Sequence, residues 1–464
     1  MLTFIKHTPF LACLVLGYWL SSCQSETIQF TTDPVALPDS TNELRMKVSF
    51  DLNQEAEAYV AFWVKDKPDQ KYYSPLSPVG QSHYMSLVGL KGITTYEYQV
   101  IARNEKTENS SDIQSFTTEK FPINVLHLRW DEEKVAGLDG YILSQRRMVN
   151  GIIYLIDQDG DVVWYQSVPK QPKLSHWTDK DRVLVLYGAA KHRNSSGDQI
   201  VEYDLLGNEL FHLDLSKLNE PLEAHHEVRY NEEGNLLALV YEFQKHDLSK
   251  VGGSPDQQVM GDKIVKMDTS GQVLWSWSIF DYLNPALDST ILKTAEDWSH
   301  ANSLSIDQDG NYLISFRNFN QVWKIDAQSG DVFWKLGEGG NIAVDSSGYF
   351  YGQHAFHINP EGSYQVFDNG RKERQTRIVT YQIEESNKTA DIKTIIELPE
   401  DLYCDKMGSA YLMNNDNFLI CAPRTNSLVV VNPVGEVLCR ARVGIPDPYR
   451  AEYVPQLYDL SHVR

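Results

Sequence analysis

Long hydrophobic runs, basic clusters and nucleotide-binding loops are all missing from this 464-residue chain. Its longest apolar stretch, Phe10 to Leu20, is too short for a membrane span, which takes about 20 residues. Lys and Arg number 42 against 63 Asp and Glu, a net charge of −21, and no basic run occurs anywhere. That argues against a nucleic-acid partner, because phosphate backbones reward clustered Lys and Arg. No P-loop is present and no G-x-G-x-x-G opens a helix, so a nucleotide donor has no visible place. Cysteine is also scarce. Beyond the first 23 residues only Cys404, Cys421 and Cys439 remain, and none forms a C-x-x-C metal or redox pattern. One disulfide and buried free thiols are both open for these three.

The beginning of the chain is informative. Lys6 and His7 precede the apolar stretch, which ends in Leu20-Ser21-Ser22-Cys23. This resembles a bacterial lipobox. Residues 1–22 are therefore expected to be a signal peptide outside the fold, with Cys23 lipidated and anchoring the chain to a bacterial membrane. The expected location is periplasmic or outer-membrane-associated, Gln24 after Cys23 favouring the outer membrane. Residues 23–120 carry short alternating runs such as Leu44-Arg-Met-Lys-Val-Ser-Phe50 and Ala58-Tyr-Val-Ala-Phe-Trp-Val64. With Tyr96 in a strand that resembles a tyrosine corner, these predict a small fibronectin/Ig-like β-sandwich.

From 121 to 464 the chain repeats. Apolar strand, turn with Gly, apolar strand recurs at Ile153 to Trp164, Ile200 to Phe211, Ile264 to Trp275, Val322 to Trp334 and Leu428 to Cys439. A degenerate copy runs from Ile378 to Ile396. A second hairpin lies between them, as in Tyr230 to Leu239 and Ile306 to Ile314. Two hairpins per period make a four-stranded blade, so the prediction is all-β, a six-bladed β-propeller.

Chemistry in a propeller should recur at one register of the repeat. His226 lies eight residues before Gly234, His354 eight before Gly362, and Asn302 eight before Gly310 with His300 two earlier. Residues two apart in a strand share a face, so three histidines from consecutive blades project from one face at one strand end. Folding the hairpin about Gln308 and Asp309 sets residue 300 opposite Arg317, and the same operation brings Asp368 towards His354. His225 and His357 are expected to face away as structural residues. A single strand-end histidine is usually structural, but three in register with an arginine point to a site. Three imidazoles can hold zinc. The permanent cation beside them favours a tetrahedral oxyanion instead, so no metal is expected.

These residues resemble a known family, the PAPS-independent arylsulfate sulfotransferases of bacteria (ASST). The matching segments are His225-His-Glu-Val228, Asp297-Trp-Ser-His-Ala-Asn-Ser303 with Ser315-Phe-Arg317, and Gln353-His354-Ala with Phe367-Asp-Asn-Gly370. The resemblance implies transfer of a sulfuryl group from an aryl sulfate to a phenol through a sulfohistidine intermediate, with no cofactor. It implies His354 as nucleophile, with His226, His300 and Arg317 holding the sulfuryl oxygens. Asn302 and Asp368 are expected beside the substrate, and a homodimer is left open. Two alternatives stand beside this reading: a non-catalytic lipid-anchored propeller that binds a sulfated ligand or a protein partner, and an aryl sulfate hydrolase that accepts water.

Overall fold

The alternating runs near the start belong to one 19-residue strand, Met46–Val64. Its first half pairs with Val35–Pro38 and Gly80–Leu87, its second with Tyr72–Tyr73 and Thr95–Arg103. Met46, Val48, Phe50, Ala58, Val60 and Phe62 share one core with Tyr96, Tyr98 and Phe116. That is the period-2 pattern of a strand with one buried face. Tyr96 Oη accepts a hydrogen bond from the Lys91 N–H at 2.9 Å. The unit is all-β. A computed structural model describes residues 27–122, 128–132, 135–189, 196–444 and 448–458. The expected signal peptide and Cys23 lie outside the described residues.

The rest is a six-bladed β-propeller of four-stranded antiparallel sheets, two of them extended by a fifth strand. Blades 2 to 6 begin with the innermost strands Gln171–Trp177, Ala224–Tyr230, Ala301–Ile306, His354–Ile358 and Ser409–Leu412. Blade 1 takes its innermost strand from the far end of the chain: Ala451–Val454 pairs with Tyr141–Arg146. Leu128–Trp130 adds an outer strand to blade 6. The ring is thus closed twice, and closure removes the open edges that invite misassembly.

The recurring turn has a physical reason at each position. Gly160 and Gly310 sit at φ +87° and +81°, a region costly for a side chain. Their N–H groups donate to Asp157 O and Asp307 O. The Trp that ends several repeats ties one blade to the next. Trp164 Nε1 donates to Leu205 O at 2.8 Å, and the nearby Trp277 Nε1 to Gly330 O at 3.0 Å. No disulfide joins Cys404, Cys421 and Cys439, and all three thiols are buried. Among the described residues, no helix is long and apolar enough to cross a membrane.

Lys91 joins the N-terminal unit to the propeller. Its Nζ lies 3.0, 2.6 and 3.0 Å from the carboxylates of Asp157, Asp159 and Asp161 in the outer turn of blade 1. Burial opposes its charge, but the aspartates outweigh that and hold it protonated above its usual range. Removing one partner from a buried ion cluster leaves uncompensated charge. Lys91→Met is therefore expected to lower stability by about 3–5 kcal/mol. Lys67→Met, which removes a more exposed ammonium from Asp159, should cost less than about 1 kcal/mol. Urea unfolding of the two variants side by side checks this; an unchanged midpoint for Lys91→Met counts against the latch.

Candidate active site

The innermost strands of blades 2 to 5 all begin irregularly. Pairing with the second strand slips between Pro172 and Leu174, between Ala224 and Val228, between Ala301 and Ser303, and between His354 and His357. Such bulges re-aim side chains next to functional sites. Around them His226, His300 and Ala355 adopt φ of 58°, 48° and 49°. Outside glycine this conformation costs of order 1–3 kcal/mol per residue and gathers at active sites.

The bulges bring the predicted cluster together. The rings of His226 and His300 lie 5.2 Å apart. Arg317 lowers the proton affinity of His354, and a proton on one of His226, His300 and His354 disfavours a proton on its neighbours. Arg317 follows its strand directly, and its N–H donates to His300 O at 3.0 Å, so residues 300 and 317 do face each other. Its Nη1 donates to Asn318 Oδ1 at 3.1 Å, while Nε is buried with no partner among the described residues.

His354 is held in one tautomer. Asn369 Nδ2 donates to Cys404 O at 2.8 Å and Met407 O at 2.9 Å, which turns Asn369 Oδ1 towards the histidine. That oxygen can only accept, so His354 Nδ1 carries the proton of the 2.6 Å bond between them. Nε2 then holds the lone pair, and the Met407 N–H donates to it at 3.2 Å. Burial, then the positive charge of Arg317, pushes the His354 pKa well below 6.5. The ring is neutral.

The other two histidines have their own supports. His300 Nδ1 donates to Asp297 Oδ2 at 2.5 Å. Burial works most strongly against the Asp297 charge, but this bond together with the charges of His300, His225 and Arg317 outweighs it and lowers the carboxyl. His226 is also pushed well below 6.5, by burial and then by the neighbouring His225. His225 does not simply face away. It stacks on Tyr241 at 4.0 Å, its Nδ1 meets His226 Nδ1 at 2.9 Å, and its Nε2 lies 3.2 Å from Asp262 Oδ1. Asp262 in turn accepts from Ser299 Oγ and from the Ala301 N–H, both at 2.6 Å. His357 does sit apart, stacked on Tyr411, with burial pushing its pKa to about 4.

The two residues expected beside the substrate have partners within the fold. Asn302 is fully buried and its Nδ2 donates to Gln353 O at 2.6 Å, fixing the start of blade 5. Asp368 accepts from the Tyr351 and Gly370 N–H groups, both at 2.8 Å, and from Arg377 at 3.0 and 2.7 Å. The slip at the head of blade 5 pairs His354 with Phe367, so the next position but one, Asn369, reaches the histidine and Asp368 does not.

Sequence reasoning also missed the far end of the chain. Tyr449 packs its ring 5.7 Å from His226. Arg450 Nη1 donates to Glu227 at 2.7 Å, and both side chains are almost fully buried. Neither residue lies in a repeat, and only the closing strand brings them here. Asn369 stood in the quoted Phe367-Asp-Asn-Gly370 run, where the Gly after it, at φ +61°, was the one visible signal. Among the described residues no group of three His, Cys, Asp or Glu is arranged to hold a metal ion.

A family model described as Arylsulfotransferase (ASST) matches residues 131–429, a span that contains every site residue above except Tyr449 and Arg450. Among solved structures, a protein of unknown function from Bacteroides caccae is 15% identical with a TM-score of 0.42, over 67% of this chain and 97% of that one. Virginiamycin B lyase from Staphylococcus aureus is 10% identical with a TM-score of 0.37, over 69% of this chain and 100% of that one. No curated protein sequence matches the chain.

A histidine pKa lowered by folding keeps the ring neutral as pH falls through 6.5, with protonation only below that. Nitrogen-15 NMR of the imidazoles is expected to show His354 as the neutral Nδ1–H tautomer at pH 6, while solvent-exposed rings are titrating. A His354 signal that titrates near 6.5 contradicts the arrangement. Asn369→Leu should free the tautomer and lower that pKa further, because the bond to Asn369 favours the proton.

Proposed function

This chain belongs to the arylsulfotransferase family, and from that premise we propose a double-displacement transfer on His354 that needs no nucleotide donor. The observation that carries the proposal is the His354 lone pair, held at Nε2 by Asn369 and set among His226, His300 and Arg317.

In the first half-reaction, Nε2 of His354 attacks the sulfur of an aryl sulfate. An N–S bond forms, the S–O bond to the aryl group breaks, and the electron pair leaves on the phenolate. His300, fixed by Asp297 through Nδ1, gives the phenolate a proton from Nε2. In the second half, His300 takes the proton of an acceptor phenol. The phenol oxygen attacks sulfur, the N–S bond breaks, and its pair returns to His354. Protons, charge and sulfur balance over the cycle.

Arg317 stabilises charge on the sulfuryl oxygens in both transition states, and its unpartnered Nε is the natural donor. His226 can shift between roles. One proton lies between the facing Nδ1 atoms of His225 and His226. With the proton on His225, His226 presents an N–H at Nε2 to a sulfuryl oxygen.

Beyond the site, we read the N-terminal unit as a fibronectin-like spacer and Cys23 as a lipid anchor on the bacterial periplasmic side. Asn302 and Asp368 then act as positioning residues behind the site.

The purified chain is expected to consume 4-nitrophenyl sulfate when phenol is supplied. The donor alone should leave a sulfuryl adduct on His354 that mass spectrometry detects. His354→Ala should lose both turnover and adduct, and Arg317→Ala should lower kcat/KM by about 10²–10³-fold. Full activity in His354→Ala removes the proposal. Hydrolysis at the same rate with and without phenol makes water the acceptor instead.

A further inference from the structure

Lys173 occupies, in blade 2, the place that the site residues occupy in blades 3 to 5. The head of Gln171–Trp177 slips between Pro172 and Leu174, and Lys173 is the residue left over at the slip. It is 2% exposed. Its Nζ donates to neutral Gln171 Oε1 at 2.7 Å, and among the described residues no carboxylate lies within ion-pair distance.

The charge that acts on it most strongly is of its own sign. Gln171 Nε2 donates to Arg147 O at 2.8 Å, and Arg147, after burial itself, disfavours the charge on Lys173. Glu223 and Asp198 each act on it less strongly and in the opposite sense, with Glu223 bonded to Ser196 Oγ and Asp198 beside Lys170. A buried ammonium with a neutral partner and a like-charged neighbour is unfavourable unless something negative arrives.

Arg147 links Lys173 to the site. Its guanidinium lies 5.6 Å from the ring centre of Tyr449, whose ring packs 5.7 Å from His226. Its Nη1 lies 3.4 Å from Met407 Sδ, and the Met407 N–H rests on His354 Nε2. The ring of strand heads therefore has two halves. Blades 3 to 5 carry the imidazoles and Arg317. Blades 1 and 2 carry Tyr449, Arg147 and Lys173, an aromatic face with two cations beyond it.

We infer that Lys173 and Arg147 form a second anion subsite, which selects phenols bearing a carboxylate substituent or a second sulfate. The inference rests on the transfer reading for its chemistry. The sulfuryl group sits at His354, the aryl ring lies against Tyr449, and the second anionic substituent reaches the two cations. In a double displacement the donor's leaving phenol and the acceptor share this space, so both belong to one class.

The test compares 4-hydroxyphenylacetate with 4-methylphenol as acceptors at fixed 4-nitrophenyl sulfate. A hydrogen bond to a charged group is worth enough for a kcat/KM ratio of about 10–100 in favour of the anionic acceptor. Lys173→Met should bring the ratio close to one, and Lys173→Arg should keep most of it. A wild-type ratio near one, or a ratio that survives Lys173→Met, overturns the inference. Should the wild type turn over neither acceptor, the transfer reading fails, and calorimetric titration of 4-hydroxyphenylacetate decides the subsite alone. Binding that Lys173→Met abolishes supports it; no binding, or equal binding, overturns it. Arg147→Gln takes the place of Lys173→Met if thermal melting shows that variant unfolded, with the same ratio expected.

Discussion

Arg450 and Glu227 meet inside the ring at 2.7 Å, 3% and 1% exposed, and the closing strand of blade 1 is tied to blade 3 through them. Taking a guanidinium and a carboxylate out of water costs several kcal/mol per ion. Their attraction, a second contact from Glu227 to Arg229 at 3.2 Å, and the Arg450 bond to Asn302 O at 3.4 Å offset that cost. The pair contributes position more than stability. It sets Tyr449 against His226, and it puts a fixed positive charge where both His226 and His354 feel it. Loss of either partner would leave a naked charge under the site, at about 3–5 kcal/mol, and would loosen the closing strand and the histidines together.

The strand heads show the same preference for placement over local ease. A regular strand would send His225 and His226 to opposite faces. The slip between Ala224 and Val228 instead sets their Nδ1 atoms 2.9 Å apart. The left-handed backbone at His226 and His300 is tolerated because each ring is fixed twice, once by its strand and once by a polar partner. Histidine is among the residues that enter this region most readily. In the inner hairpins of blades 2 to 5 the irregularity lies at the mouth of the ring, while the outer hairpins carry slips of their own. Below it the inner pairs run in register, and the fully buried Leu304, Ile314 and Val366 pack without exception.

The propeller was legible because its repeat is written in turns. Asp or Asn followed by a Gly at positive φ recurs in both hairpins, and the spacing between them gives the blades. Blades 2 and 6 show the limit: Asp181 at φ 54° and Asp416 at φ 65° take the inner-hairpin position where blades 3 to 5 have glycine, and both still form the turn. Histidine register was legible for the same reason. What stayed hidden depends on slips of one residue and on closure. Asp368 was preferred to Asn369 because alternation assumes an unbroken ladder, and the ladder breaks at His354. Tyr449 and Arg450 follow the last repeat, and nothing local ties them to blade 1. Lys173 precedes a turn with Asp181 in place of glycine, so the glycine register passes it by and only its slip places it with the histidines.

A chain of net charge −21 that handles sulfate esters has to solve an electrostatic problem at short range. Exposed acidic groups are screened beyond about 8 Å at physiological salt, so the ring decides. Within it, Arg317 and Arg450 do two things with one charge. They disfavour a proton on His354, which in the proposed transfer keeps its lone pair available. In that same proposal they also favour the anion on which the lone pair would act. A protonated His354 would bind sulfate well and do nothing to it. Replacing the arginines by neutral groups would raise the histidine's basicity while weakening its hold on substrate. Burial and cationic surroundings are therefore a single requirement of the site, and the strained strand heads and the buried ion pair are how this fold meets it.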